Sequence, residues 1–396
     1  MAVREAVIVG AVRTPVGRRG GVLHRWHPVD LLGQTLRELV DRTGVEPALI
    51  EDVITGCVLT QEQQAGNIGR HAVLAAGLPE SVPAVTVDRQ CGSGQQAVSF
   101  AAQAVIAGSH DLVIACGVES MSQVPMPAAM VPGAPLGPHY SPRELARYEG
   151  CLVAQGVSSE IMNEKFALSR AALDDFSARS HERALAATAA GYFREQLVPL
   201  TSDPDDPSGP SIEADEGIRA HLDRDKMASL TTVFAADGRT TAANSSQLSD
   251  GAAALMIADR EFAERHGLVP RARFRALTVA GADPVIQFSA ILDATHKALR
   301  RSGLSVEDID LFEVNEAFAG VPLMFQQEFG VSDDRLNVNG GSVAIGHPLG
   351  STGARMLTDL LHELERTGKD LGLQTICEAT GTANTTIIER ISRSQR

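Results

Sequence analysis

The chain has 396 residues, a formal net charge of −14, and 4% aromatic against 44% hydrophobic side chains. That length allows one large core or two to three units of about 150 residues, and the acidic balance speaks against a general nucleic-acid or anionic-membrane binder while leaving room for a local arginine site. No apolar run reaches the ~18 residues of a membrane span. The start lacks a signal-peptide cleavage pattern and the terminal "ISRSQR" is not a peroxisomal tripeptide, so the cytoplasm is the expected location.

Abundant Ala and Gly with few aromatics favour α/β architecture. In chain order, "EAVIVGAV" reads as a strand, "PVDLLGQTLRELVDRTG" as a helix with a Gly stop, and "IEDVITGCV" as a strand. After Cys91, Ala97, Phe100, Ala101, Ala104, Val105 and Ala107 recur at helical spacing, Gly108 ends the helix, and "DLVIACG" returns as a buried strand. Strands alternating with helices predict a parallel sheet. From Met121 the Pro- and Gly-rich run "MSQVPMPAAMVPGAPLGPHYSP" breaks regular structure. Helical patterns ("DDFSARSHERALAATAAGYF") and a polar stretch follow, then the strand-like "SDGAAALMIAD". Residues 1–120 with 244–270 are expected to form one half, 121–243 an inserted lid, and 271–396 a second half. In that second half "RLNVNGGSVAIGHPLGSTGARMLTDLLHELERTG" predicts strand, glycine-rich loop and helix, and "LQTICEATG" a returning strand. The order echoes the first half and puts reactive residues at corresponding strand ends, where ligands meet α/β sheets.

Five scattered cysteines without CxxC spacing suggest neither a zinc site nor a disulfide framework. Cys57 and Cys116 lie in strand-like runs and read as buried hydrophobes; Cys151 has too little context to assign. Cys91 differs. A helix starting beside it aims N–H groups and a positive dipole end at the sulfur, which predicts a lowered thiol pKa. Gly92 and Gly94 leave backbone N–H groups free for an oxyanion. A packing cysteine is the competing reading. His347, between Gly346 and Pro348, is the candidate base, with a solvated loop histidine as the alternative. Asn315 and Glu316 bring polar groups into the apolar "FEVNEAFAG", which is costly unless they are bonded; helix capping is the alternative for Asn315.

The motifs "QCGSGQQAV", "NSSQLSDGAAA", "VNEAFA", "GGSVAIGHPLGSTGARM" and the Cys377 segment, with "AVRTPVG" and "DEGIR", stand in the order found in the thiolase family, which the sequence resembles over essentially its whole length. The resemblance implies an α/β, five-layer αβαβα fold of two similar halves with an inserted lid. It implies thiolytic cleavage of 3-oxoacyl-CoA by CoA, or the reverse Claisen condensation, through an acyl-cysteine. No metal or redox cofactor is implied, coenzyme A being a substrate, and a homodimer or homotetramer is expected. By the same resemblance Cys91 is the acylated nucleophile. His347 activates it and donates to the thioester oxygen, while Asn315 holds a water beside His347. Cys377 is the acid/base, the backbone N–H groups of Cys91 and Ala379 form an oxyanion hole, and Arg219, Ser246, Ala242 and Phe318 contact CoA or substrate.

Three departures from the family pattern stand out. "CEATG" puts Ala379 and Thr380 where glycines are usual, and a positive φ at Ala379 would strain the site by about 1–3 kcal/mol. Ala154, Gln155 and Gly156 replace the His-Met-Gly of short-chain biosynthetic members, predicting a degradative enzyme for acyl groups longer or bulkier than acetoacetyl. "PVIQFSA" replaces a Gly-Pro-x-Pro turn. A ketoacyl-synthase-like condensing enzyme and a non-catalytic CoA- or lipid-binding relative are the alternatives; Cys377 with "NEAFA" disfavours the first, and the joint presence of the four reactive residues disfavours the second.

Overall fold

The computed structural model describes residues 4–126 and 140–392, so much of the Pro- and Gly-rich run after Met121 lies outside the described residues. The main strands are β1 (Ala6–Arg13), β2 (Asp52–Gly56), β3 (Ala84–Val87), β4 (Leu112–Ser120), β5 (Ser249–Asp259), β6 (Ala272–Gly281), β7 (Leu311–Val314), β8 (Leu371–Glu378) and β9 (Thr382–Arg390). They are hydrogen-bonded in the order β3-β2-β4-β5-β1-β6-β9-β8-β7, with a two-residue strand, Gly17–Arg18, beside β5. Only β2 with β3 and β4, and β7 with β8, run parallel. The sheet is mixed rather than parallel because β9 follows β8 through the tight turn Ala379–Gly381, which can only reverse direction.

Strands β2, β4, β5 and β1 hold the same relative places in the first half as β7, β8, β9 and β6 in the second. The counterpart of β3 shrinks to a single parallel bridge, Phe312↔Leu336. "RLNV" is therefore not a strand. Asn337 has φ 43, and its side chain accepts from Val314 N–H at 2.8 Å and donates to Val314 C=O at 2.9 Å, replacing the ladder it interrupts. The halves join through Val7↔Arg273 and Ile8↔Ala272. Cys57 falls just beyond the end of β2 but is buried as expected.

The helices that matter here are α1 (Pro28–Thr43), α2 (Ile68–Ala75), α3 (Ser93–Ala107), α4 (Gln155–Lys165), α5 (Arg170–Ala189), α6 (Ala290–Ser302), α7 (Gly320–Phe329) and α8 (Leu349–Thr367). Gly44 and Gly108 end α1 and α3 in the left-handed conformation, as their sequence positions predict. Leu31, Leu32, Leu36 and Leu39 of α1 pack with Val7 and Val9 of β1 in an outer core. A second outer core joins Ile291 and Ala294 of α6 to Phe312, Leu373 and Ile387. Between them, Ala97, Val98 and Ala101 of α3 and Leu357 and Leu361 of α8 fill a central core with Ile8 and Ile257 of one half and Leu311 and Ile388 of the other. The succession is helix, sheet, paired central helices, sheet, helix, which is the five-layer arrangement. The inserted segment does not stand apart. Met162 of α4 and Phe176 of α5 belong to the second half's outer core, and Ala184 and Ala187 pack on Ala344 and Ile345.

The N-termini of α3 and α8 meet backbone to backbone. A Cβ on Gly94 would stand 2.7 Å from Gly350 C=O and 3.0 Å from Ala354 N; one on Gly350 would stand 2.6 Å from Val118 C=O. Neither neighbour can rotate away, since both are main chain. Gly94→Ala is therefore expected to destabilise the fold by about 1–3 kcal/mol, read as a lower Tm; an unchanged melting curve would refute this close approach.

Candidate active site

Cys91 sits in the turn between β3 and α3, after Gln90 at φ 49, and is 5% exposed. It packs with Met121, Leu349, Met356 and Ile376. Leu349 lies two residues beyond His347, and Ile376 immediately precedes Cys377, so three distant segments converge on one cluster. Burial, then the charge of Glu378, pushes the Cys91 thiol up to about 12. The lowering predicted from the helix terminus is overruled. A helix end contributes about 0.3–1 kcal/mol, whereas full desolvation moves a thiol by several pKa units. Cys377 is completely buried and is also pushed well up, first by burial and then by the charge Cys91 would carry.

His347 is buried, and desolvation followed by the nearby Arg355 lowers its imidazole to about 3; it rests neutral. Its tautomer follows from its neighbours. Thr352 Oγ1 donates to Pro348 C=O at 2.8 Å and lies 2.7 Å from His347 Nδ1, so Nδ1 must carry the hydrogen and Nε2 the free lone pair. Asn315 Nδ2 is 3.5 Å from that Nε2. The amide is turned this way because Ser342 donates its hydroxyl hydrogen to Asn315 Oδ1 at 2.6 Å, while Arg355 Nη2 donates to Ser342 at 3.2 Å. Asn315 caps no helix, since α7 begins at Gly320; its N–H instead extends the pairing to β8 by donating to Thr375 C=O at 3.0 Å. Glu316 is buried and accepts from Ser180, Asn337 and the Val343 N–H.

In the turn after Cys377 the positive φ falls on Thr380 (φ 60), not on Ala379. A β-branched residue in that region costs about 1–3 kcal/mol. Two contacts offset it: Thr380 N–H donates to Gln287 Oε1 at 3.1 Å, and Thr380 Oγ1 to Ala379 C=O at 2.7 Å. Gln287, itself at φ 59, also donates to Val153 C=O and Ser158 Oγ. The departures at "PVIQFSA" and "CEATG" thus touch each other.

Arg219 and Ala242 line a small cavity of about 30 Å³ with His181, Met227, Gln247 and Val343. The Arg219 guanidinium is exposed, and among the described residues it has no carboxylate partner. Its backbone N–H donates to His181 Nδ1 at 3.2 Å, and burial with the Arg219 charge lowers that imidazole to about 4. Gln247 C=O accepts from His347 N–H at 3.1 Å, linking the cavity wall to the imidazole. Ser246 and Phe318 do not line this cavity. Ser246 N–H donates to Ala317 C=O at 3.0 Å, and the Phe318 ring packs edge-on with Phe288 and Phe234. Ala154 caps α4, and Gly156 leaves room for the Phe234 ring, which occupies the space a side chain there would need. Among the described residues no group of three or more His, Cys, Asp or Glu is placed to hold a metal ion, and no helix is long and apolar enough to cross a membrane.

The pattern of the "Thiolase, N-terminal domain" matches residues 6–261, and that of the "Thiolase, C-terminal domain" matches residues 268–390. The chain belongs to the thiolase family. A steroid 3-ketoacyl-CoA thiolase of Mycobacterium tuberculosis is 47% identical, the match covering 98% of this chain and 94% of that one. A 3-ketoacyl-CoA thiolase of Bacillus subtilis is 38% identical, covering 96% and 97%. The crystal structure of the Bacillus anthracis acetyl-CoA acetyltransferase superposes with a TM-score of 0.89 at 37% identity, covering 98% and 99%. This thiolase is accordingly an acyltransferase acting on CoA thioesters, and thiolytic cleavage is its reaction.

Thr352, Ser342 and Ser249, whose hydroxyl accepts from His347 N–H at 3.1 Å, escape sequence reading because hydroxyls in helix turns and loops are too common to single out. Glu378, a charged residue closing the apolar run "LQTICE", carries a signal, since a carboxyl there must be buried. Thr352→Val leaves Nδ1–H without its acceptor and frees the ring to turn; turnover is expected to fall by about tenfold or more with an unchanged melting curve. Gln287→Ala removes three buried hydrogen bonds and is expected to cost about 1–3 kcal/mol, seen as a lower Tm.

Proposed function

We propose that this thiolase works degradatively, cleaving 3-oxoacyl-CoA whose acyl group is longer or bulkier than acetoacetyl, with Cys91 as nucleophile and Cys377 as acid/base. The observation that carries the role assignment is the convergence of two buried thiols with a neutral imidazole whose Nε2 bears the lone pair and faces the Asn315 amide at 3.5 Å. Resting Cys91 is a neutral thiol, so its proton moves to His347 Nε2 as the sulfur attacks the 3-oxo carbon. The tetrahedral oxyanion is held by the backbone N–H groups of Cys91 and Ala379. Carbon–carbon cleavage leaves the acyl group on Cys91 and expels an acetyl-CoA enolate. His347, now protonated, and Asn315 stabilise the enolate oxygen, and Cys377 gives its proton to the enolate carbon. The Cys377 thiolate then takes the proton of incoming CoA, whose sulfur attacks the acyl-cysteine; the Cys91 thiolate leaves and takes its proton back from His347.

The exposed Arg219, without a carboxylate partner among the described residues, suits the phosphate end of CoA. The small residue at 154, and the steroid substrate named for a relative at 47% identity, support a bulky acyl group. Strand β3 is an open edge, and Val85, Phe100 and Ile106 near it are exposed, which favours a homodimer across this edge or a tetramer built from it. CoA thioesters are multiply charged and do not cross bilayers, which favours the cytoplasm as the place of work.

Intact-mass measurement after incubation with a 3-oxoacyl-CoA is expected to show an acyl adduct that CoA releases and that Cys91→Ala abolishes. In Cys377→Ala, acylation from an acyl-CoA is expected to persist while cleavage stops; retained cleavage would remove Cys377 from the mechanism. Across 3-oxoacyl-CoAs of graded size, kcat/KM is expected to rise above that for acetoacetyl-CoA, and the reverse order would refute the assigned substrate class.

A further inference from the structure

Several carboxyls are buried around the thiol centre, and two are fully occupied. Glu119 accepts from the N–H groups of Val58, Leu59 and Gly350 and from Gln64, and Glu316 from the three donors given above. Glu378 differs. It is 0% exposed, directly follows Cys377, and tucks its carboxyl beneath the Cα of Gly92, in the space a side chain at that position would need. With the Asn384 amide turned to face it, Nδ2 donates to Oε1 at 2.9 Å, whereas among the described residues Oε2 has no hydrogen-bond partner. A buried carboxylate with a bare oxygen is costly, and a neutral carboxylic acid much less so.

The groups facing it come from each element packed around it. Arg89 and the Thr382 hydroxyl favour its charge, while burial and Asp88 oppose it, and the balance lifts Glu378 to about 8. Cys91 and Cys377 both feel its charge, and Glu119 and Asp88 add to the negative field on Cys91.

We propose that the buried carboxyl of Glu378 is a third proton-bearing group of the thiol centre, a positioning residue whose charge governs how readily Cys91 becomes a thiolate. The proposal rests on Cys91 being the nucleophile. While Glu378 is neutral, Cys91 loses its proton against a weak field. Once the carboxyl ionises, a second negative charge beneath Gly92 opposes the thiolate. The site therefore carries one negative charge more readily than two.

The test is the rate of Cys91 alkylation by iodoacetamide, followed on the Cys91 peptide by mass spectrometry, in the full-length enzyme without substrate. In the unmutated protein the logarithm of the rate is expected to rise with unit slope, bend to a lower slope near the carboxyl's ionisation around pH 8, and return to unit slope. In Glu378→Gln, which keeps the shape and loses the charge, the bend is expected to vanish and alkylation above it to quicken by roughly three- to tenfold. Identical profiles in the two proteins would overturn the proposal. Should the variant fold poorly, the unmutated profile decides alone, because an unbroken line of unit slope leaves no second ionisation coupled to the thiol. The readout needs no acyl-CoA, so it stands or fails separately from the thiolysis reading, which the acyl adduct tests.

Discussion

The close approach of α3 and α8 at Gly94 and Gly350 sets the geometry of everything around it. Each helix begins beside one reactive group, Cys91 before α3 and His347 before α8, and each belongs to a different half of the chain. Side chains at the crossing would push the helices apart and the two groups with them. Bare backbone lets the helix starts lie within contact distance. The central layer is therefore both the core of the fold and the jig of the site, and a change in either propagates to the other because packed interiors resist deformation.

Burial brings a second consequence. Cys91, His347 and Cys377 are all cut off from water, and each is biased toward its uncharged form. A thiolate–imidazolium pair in the resting enzyme would require two desolvated charges. The neutral pair avoids that cost, and in the proposed reaction charge arises only as the substrate carbonyl arrives, where N–H donors would receive it. The hydroxyls of Thr352 and Ser342 matter for the same reason. With no ion pair to orient them, the imidazole and the Asn315 amide are held by neutral hydrogen bonds.

Much of this was legible in the sequence. The helices ending at Gly44 and Gly108, the buried strand Ser249–Asp259 and the turn carrying Cys91 follow from periodicity and glycine placement. The family motifs singled out Cys91, His347, Asn315 and Cys377, which the fold brings from distant segments to one region. What periodicity could not show was tertiary. "RLNV" has strand character, but Asn337 bends it away and substitutes its own amide for the ladder. The helix dipole at Cys91 is real, yet its weight against desolvation depends on a depth of burial that local sequence does not state. The strain that a positive φ at Ala379 would have brought falls one residue on, at Thr380, whose N–H is held by Gln287, almost a hundred residues earlier.

The order of the strands bears on how the chain must be assembled. β1 pairs with β5 from Ala6↔Asp259 to Arg13↔Ala253, and the inserted segment lies between β4 and β5. The first sheet thus stays open along its inner edge until the whole insertion has been synthesised. A nascent chain halted before β5 would leave β1 without its β5 partner and β4 paired on one side only, with β2, so that two largely apolar strands present open edges. Synthesis of this protein therefore passes through two open intervals, a long one in which β1 awaits β5 and a shorter one in which β6 awaits β9.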